Sequence, residues 1–138
     1  MTPTEIALVQ HGFDQIEPVA ERVGLALYEQ LFALDPSLRQ LFKGDITRQA
    51  GLIMAEVGVV VRSLDDLGPV LSRIEALGRR HASYGVGSRY FSIAGPILLD
   101  ALQAELGPAF TEEARSAWAT AYTTLTDAMI TAMTESAP

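Results

Sequence analysis

Residues 46–64, ITRQAGLIMAEVGVVVRSL, and 67–85, LGPVLSRIEALGRRHASYG, decide the fold. In the first stretch Ile46, Ala50, Ile53, Val57, Val60 and Leu64 recur every three or four residues, so they share one helical face, and Gln49 lies on that same face. In the second, Leu67, Val70, Ile74, Leu77 and His81 repeat the pattern before Gly85 supplies a stop. Each apolar stripe thus carries one polar residue.

Outward from these stretches the helical period continues and alternating, strand-like runs are scarce. Thr2-Pro3-Thr4-Glu5 combines a capping hydroxyl, a proline at the first helical position and a Glu three residues after the cap, and predicts a helix to about Ile16. A second helix is predicted over Pro18 to Ala33, and Asp35-Pro36 restarts the chain as a short helical segment, SLRQLF. A long helix from Ser88 to Leu106 carries Pro96, which predicts a kink or a late start, and Gly107-Pro108 ends it. Thr111 with Glu112 and Glu113 opens the last helix. The expectation is an all-α chain forming a single domain over residues 1–138, without internal repeats or a linker.

Composition removes several classes of function. A formal charge of −7, with only ten Lys and Arg, argues against nucleic acid and against an anionic membrane surface. The N-terminus lacks the basic segment and apolar run of a secretory signal, and no stretch reaches the roughly 20 apolar residues of a spanning helix, so a cytoplasmic location is expected. With no Cys there is neither a disulfide nor a thiolate metal site, and any metal falls to His and carboxylates.

Tyr28, Gln49 and His81 place polar groups on faces that ought to be apolar. Taken singly, each has an ordinary reading: His81 as a satisfied boundary histidine, Tyr28 as a buried ring with its hydroxyl on a carbonyl, Gln49 as the rim of its stripe. Together they outline a slot for a flat apolar ligand, with Gln49 and Ile53 on one wall and Leu77 and His81 on the other. A zinc site needs three or four ligands, yet the only other histidine is His11, which reads as solvent-facing. A metal held by His81 therefore has to bring its own equatorial ligands, as haem does with one axial imidazole and an apolar envelope. Trp118, Met54, Met129 and Met133 read as core packing.

With LALYEQLFALDP (25–36), LRQLF ending at Phe42, RQAGLIM (48–54), LGRRHASYGV (77–86) and RYFSIAG (89–95) in order, the chain resembles the globins, most closely bacterial single-domain globins related to the haem domain of flavohaemoglobins. The resemblance spans nearly the whole chain and implies a helical sandwich around a haem pocket holding haem b, iron protoporphyrin IX. It implies His81 as the iron ligand, with the Leu77 carbonyl orienting its imidazole, and Phe42 stacked on the porphyrin. Tyr28 matches the distal tyrosine and Gln49 the distal glutamine, Ile53 an apolar residue over the gas site, and Val86 and Tyr90 pocket residues beyond the proximal helix. Arg80 is placed to reach a haem propionate.

Two departures stand out. The glutamate that often joins the proximal network in flavohaemoglobins falls at Met133, and the loop from His81 to Tyr90 is one residue shorter than in some relatives. A chain ending at Pro138 also leaves no room for a flavin and nicotinamide reductase domain. The implied function is reversible binding of oxygen and related gases, nitric oxide and carbon monoxide among them, for carriage, storage or scavenging. The enzyme alternative is nitric oxide dioxygenation with a separate reductase. A gas sensor ranks lower because no output segment is visible, and a haem-free helical interaction module is the remaining alternative.

Overall fold

Thr2 begins the first helix by a reciprocal cap: its hydroxyl accepts the Glu5 N–H at 3.1 Å while the Glu5 carboxylate accepts the Thr2 N–H at 2.9 Å. The computed structural model describes residues 1–135. Six helices follow in order: α1 (Pro3–Ile16), α2 (Ala20–Leu34), α3 (Ile46–Arg62), α4 (Leu71–Ser83), α5 (Arg89–Leu106) and α6 (Glu112–Glu135). Short 3-10 turns at Glu17–Val19, Pro36–Leu41, Gly68–Val70 and Gly107–Ala109 join them, each with a proline in its first two positions. There is no strand among the described residues. The fold is all-α.

Asp35 and Asp45 start the segments after them by accepting the N–H groups of Ser37 and Thr47. The second predicted helix is split, with a 3-10 turn before α2, and the stripe beginning at Leu67 becomes regular helix only at Leu71, beyond Gly68-Pro69. Gly85, at φ +80°, turns the chain out of α4. Pro96 neither delays nor divides α5, which runs unbroken from Arg89 to Leu106. Its ring removes one helical hydrogen bond, while the Tyr122 hydroxyl braces the preceding turn by donating to the Phe91 carbonyl at 2.6 Å.

The helices pack in pairs that leave a gap. α2 lies on α3 with Gly24 at the crossing, where a Cβ would come within 2.7 Å of the Ala50 carbonyl oxygen. α4 lies on α6 with Gly78 at the crossing, and a Cβ there would meet the Met129 carbonyl oxygen at 2.6 Å. Glycine allows both backbones to approach that closely. The core, including Phe13, Ile16, Met54, Ile74, Leu102 and Trp118, fills the space behind these crossings. Because α3 is committed to α2 and α4 to α6, the facing sides of α3 and α4 become two walls of a cavity.

Candidate functional site

That cavity has a volume of about 500 Å³, within the ~300–1,000 Å³ common for cofactor and ligand sites. Tyr28, Phe42, Gln49, Ile53, Leu77, Arg80, His81, Val86 and Tyr90, all expected from the sequence, lie on its lining. Its depth is apolar, through Met54, Val60, Leu98 and Trp118. Exposed Leu52 and Tyr84, both also on the lining, mark where it opens.

On the α4 wall, His81 stands in the last helical turn, half-buried. Its Nδ1 lies 2.7 Å from the Leu77 carbonyl oxygen, one turn earlier. A carbonyl only accepts, so this contact assigns the proton to Nδ1 and leaves the Nε2 lone pair available. The Phe91 ring packs beside the imidazole at 5.5 Å between centroids and 59°. The loop beyond is tied back to the same residue, since the Val86 N–H donates to the His81 carbonyl at 3.0 Å.

The other wall is built from α2, α3 and the 3-10 turn between them. Tyr28 is buried, and its ring meets Phe42 edge-on at 5.0 Å and Phe32 nearly parallel at 5.9 Å. Phe32 and Phe42 meet at 5.6 Å, so three aromatic rings fix one another. Burial pushes the Tyr28 phenol above its ordinary range, while a hydrogen bond with the Gln49 side chain acts in the opposite direction. At neutral pH the group is therefore a protonated donor. Gln49 and Ile53, one turn apart on α3, are half-buried beside it.

Two expected residues have other engagements. The Tyr90 hydroxyl donates to Asp35 at 2.9 Å, and the Arg89 guanidinium lies 5.1 Å over its ring. Arg80 is exposed at the edge of the lining, where its charge stays in water. Met133 is absent from the lining; the α6 methionine that reaches it is Met129, four residues earlier. His11 is exposed on α1, away from the cavity.

Sequence reasoning passed over Phe32, Phe91, Tyr122 and the cavity face of Trp118. A signal existed for part of this set: Phe91, Ala94 and Leu98 follow the helical period along α5, as do Trp118, Ala121, Leu125 and Met129 along α6. The Trp118 indole N–H is buried without a partner, and it faces Gly12, where a Cβ would come within 2.9 Å of it. Its orphaned donor belongs to the α1 contact.

Among the described residues no group of three or more His, Cys, Asp or Glu is placed to hold a metal ion. One free imidazole nitrogen over a deep apolar slot fits a metal that carries its own in-plane donors, and thus fits haem. No described helix is long and apolar enough to cross a membrane.

A family model described as Globin matches residues 25–129. Neuroglobin of Danio rerio is 35% identical over 120 residues, covering 77% of this chain and 76% of that protein. The flavohemoprotein of Bordetella pertussis is 30% identical over 133 residues; that covers 94% of this chain, and the chain spans only 33% of that protein's length. Among solved structures, a bacterial globin from Campylobacter jejuni superposes with a TM-score of 0.85 at 19% identity, covering 97% of each chain. An engineered carbene transferase from Rhodothermus marinus gives 0.88 at 24% identity, covering 98% of this chain and 94% of that one. The two structures establish likeness of fold, and the match over residues 25–129, together with the curated relatives, establishes the family: this chain belongs to the globins.

Proposed function

We propose that the chain acts as a single unit over residues 1–138 that holds haem b through His81 and binds oxygen reversibly on the Tyr28 and Gln49 side. Haem-based binding of diatomic gases comes with membership of the globin family. The observation that supports the finer reading is the His81 ring. Its Nδ1 is engaged by the Leu77 carbonyl, and its other nitrogen is left for a metal in an apolar cavity whose opposite wall carries two polar side chains. Haem supplies the coordination site for the gas. A chain without Cys forms no thioether links to the porphyrin, which favours haem b.

The remaining chemistry belongs to the side chains. Leu77 fixes the ring orientation of His81 and increases its electron donation. Phe42, Ile53 and Val86 exclude water from the slot, and Arg80 stands where a propionate would emerge. The Tyr28 hydroxyl and Gln49 amide donate hydrogen bonds to a ligand that gains negative charge on binding, which favours oxygen over carbon monoxide.

Nitric oxide dioxygenation is the second reading. It is favoured by the similarity to the Bordetella flavohemoprotein and by the nitric oxide dioxygenase designation carried by the parent of the Rhodothermus enzyme. Sustained turnover would need an electron donor for the haem. The deciding measurement for the main reading is the absorption spectrum of the haem-supplied, reduced protein with and without oxygen, beside that of His81→Ala. The expected result is a stable oxygenated spectrum that depends on His81. Haem uptake indifferent to the substitution overturns the assignment.

A further inference from the structure

The charges of this chain are sorted by position. Of its ten cationic side chains, Arg22, Arg62, Arg73 and Arg115 each close a salt bridge, to Glu105, Glu17, Glu56 and Asp100 respectively. Arg39, Lys43, Arg48, Arg79, Arg80 and Arg89 make no salt bridge among the described residues, and all six are exposed. They fall in two short segments, 39–48 and 79–89, which contain a single carboxylate, Asp45, in a chain of net charge −7. The Asp45 side chain is engaged in accepting the Thr47 N–H.

Both segments border the open end of the cavity. Phe42 and Gln49 lie on the lining next to Lys43 and Arg48, and Arg80, Tyr84 and Tyr90 lie on it next to Arg79 and Arg89. Helix chemistry accounts for Arg79 and Arg80, since cations near the C-terminus of α4 complement its dipole. Arg48 is the reverse case, because it stands in the first turn of α3, where a cation is disfavoured. Lys43 lies in the connection between elements. Arg39 donates to the Phe42 carbonyl at 2.9 Å and lies over the Phe32 ring, and Arg89 lies over the Tyr90 ring with Asp35 near its charge. Local contacts thus account for four of the six and leave Lys43 and Arg48 without one among the described residues.

We propose that residues 39–48 and 79–89 form the docking surface for an acidic protein that delivers electrons to the bound haem, an inference that rests on the haem reading above. A chain of this net charge repels an acidic partner unless the cations outside its salt bridges are gathered on one face; gathered, they steer that partner toward the cavity mouth. The two propionates of a haem neutralise at most two of the six. With haem bound, each productive encounter would pass one electron, leaving the donor oxidised by one electron and a ferric haem reduced to ferrous. A long polyanion or an anionic bilayer fits less well, because it would also meet the acidic remainder of the surface.

The test titrates the haem-loaded protein with flavodoxin, an acidic flavin protein, at low ionic strength, reading amide shifts and binding heat. Shifts confined to 39–48 and 79–89 are expected, with affinity falling about tenfold or more as salt rises from about 50 to about 200 mM. The double variant Lys43→Glu/Arg79→Glu should weaken binding at least tenfold with the haem spectrum unchanged, whereas Arg115→Gln, in a salt bridge to Asp100 outside both segments, should leave it within about twofold. Absence of binding at low salt, indifference to the double variant, or preference for phosphatidylglycerol vesicles or DNA overturns the proposal. A chain that takes up no haem through His81 overturns the underlying haem reading, while a loaded chain that fails to bind overturns the docking surface alone.

Discussion

Tyr28 shows how much one polar atom can decide. Its ring is held by Phe32 and Phe42, so the hydroxyl oxygen keeps one position beside the Gln49 side chain, and burial holds the phenol protonated. A donor fixed in that way interacts most strongly with a ligand that acquires charge. Such hydrogen bonds contribute about 1.5–3 kcal/mol when the acceptor is charged, which is on the order of 10- to 100-fold in a rate or equilibrium. Tyr28→Phe is therefore expected to speed oxygen dissociation by about 10- to 100-fold, measured by laser flash photolysis, while carbon monoxide dissociation changes far less. An oxygen rate unchanged by the substitution removes the tyrosine from the site. The place of His81 on the cavity lining was legible in the sequence only in combination, because a lone imidazole at the end of an apolar stripe has an ordinary reading and it is Gln49 on the facing stripe that outlines a slot.

At the scale of elements, most boundaries were readable because caps and turn residues act locally. Thr2, Asp35, Asp45 and Gly85 each behave as their residue types predict. Of the two effects expected of Pro96, the late start is absent, since α5 begins at Arg89, and the Tyr122 hydroxyl of α6 on the Phe91 carbonyl is a contact that nothing near Pro96 in the sequence announces. The same holds for Phe91 beside the imidazole and for Tyr90 with Asp35, contacts that depend on the path of the loop after Gly85. Crossing points were equally hidden, since a helical glycine reads only as a weak position. The structure separates two kinds. Gly78→Ala puts a methyl group against the Met129 backbone and should destabilise the protein by about 1–3 kcal/mol through overpacking, offset in part by the better helix propensity of Ala. Gly51→Ala, whose Cβ would meet only the Glu21 side chain at 3.4 Å, should instead stabilise it by up to about 1 kcal/mol. Urea unfolding of both variants measures the contrast; equal effects would mean that the α4 to α6 crossing is not tight.

Across the whole molecule, the cavity divides the chain into two parts that must stay in register around a ligand. One part contributes α2, the Pro36–Leu41 turn and α3; the other contributes α4, α5 and α6. Three polar links cross between them away from the core: Arg22 to Glu105, Arg73 to Glu56, and the Tyr90 hydroxyl to Asp35. The last two each include a residue of the cavity lining, Glu56 and Tyr90, and the Tyr90 link also anchors the turn that carries Leu38, Leu41 and Phe42. Hydrogen bonds from Ser37 and then Tyr90 lower the Asp35 pKa. A carboxylate with a depressed folded pKa contributes stability above its unfolded value of about 3.9, and that contribution is lost as pH falls through the folded value. Asp35→Asn removes the charged acceptor, so at neutral pH it should release haem several-fold faster than the parent chain, in transfer to excess apomyoglobin followed by absorbance. As pH drops through the carboxylate range the parent loses the same link, and the two release rates should converge even though both rise. Tyr90→Phe should match Asp35→Asn at neutral pH, and the double variant should add little to either. A ratio that stays constant across this pH range, or two fully additive effects, would show that the link does not hold the mouth of the cavity closed around its ligand.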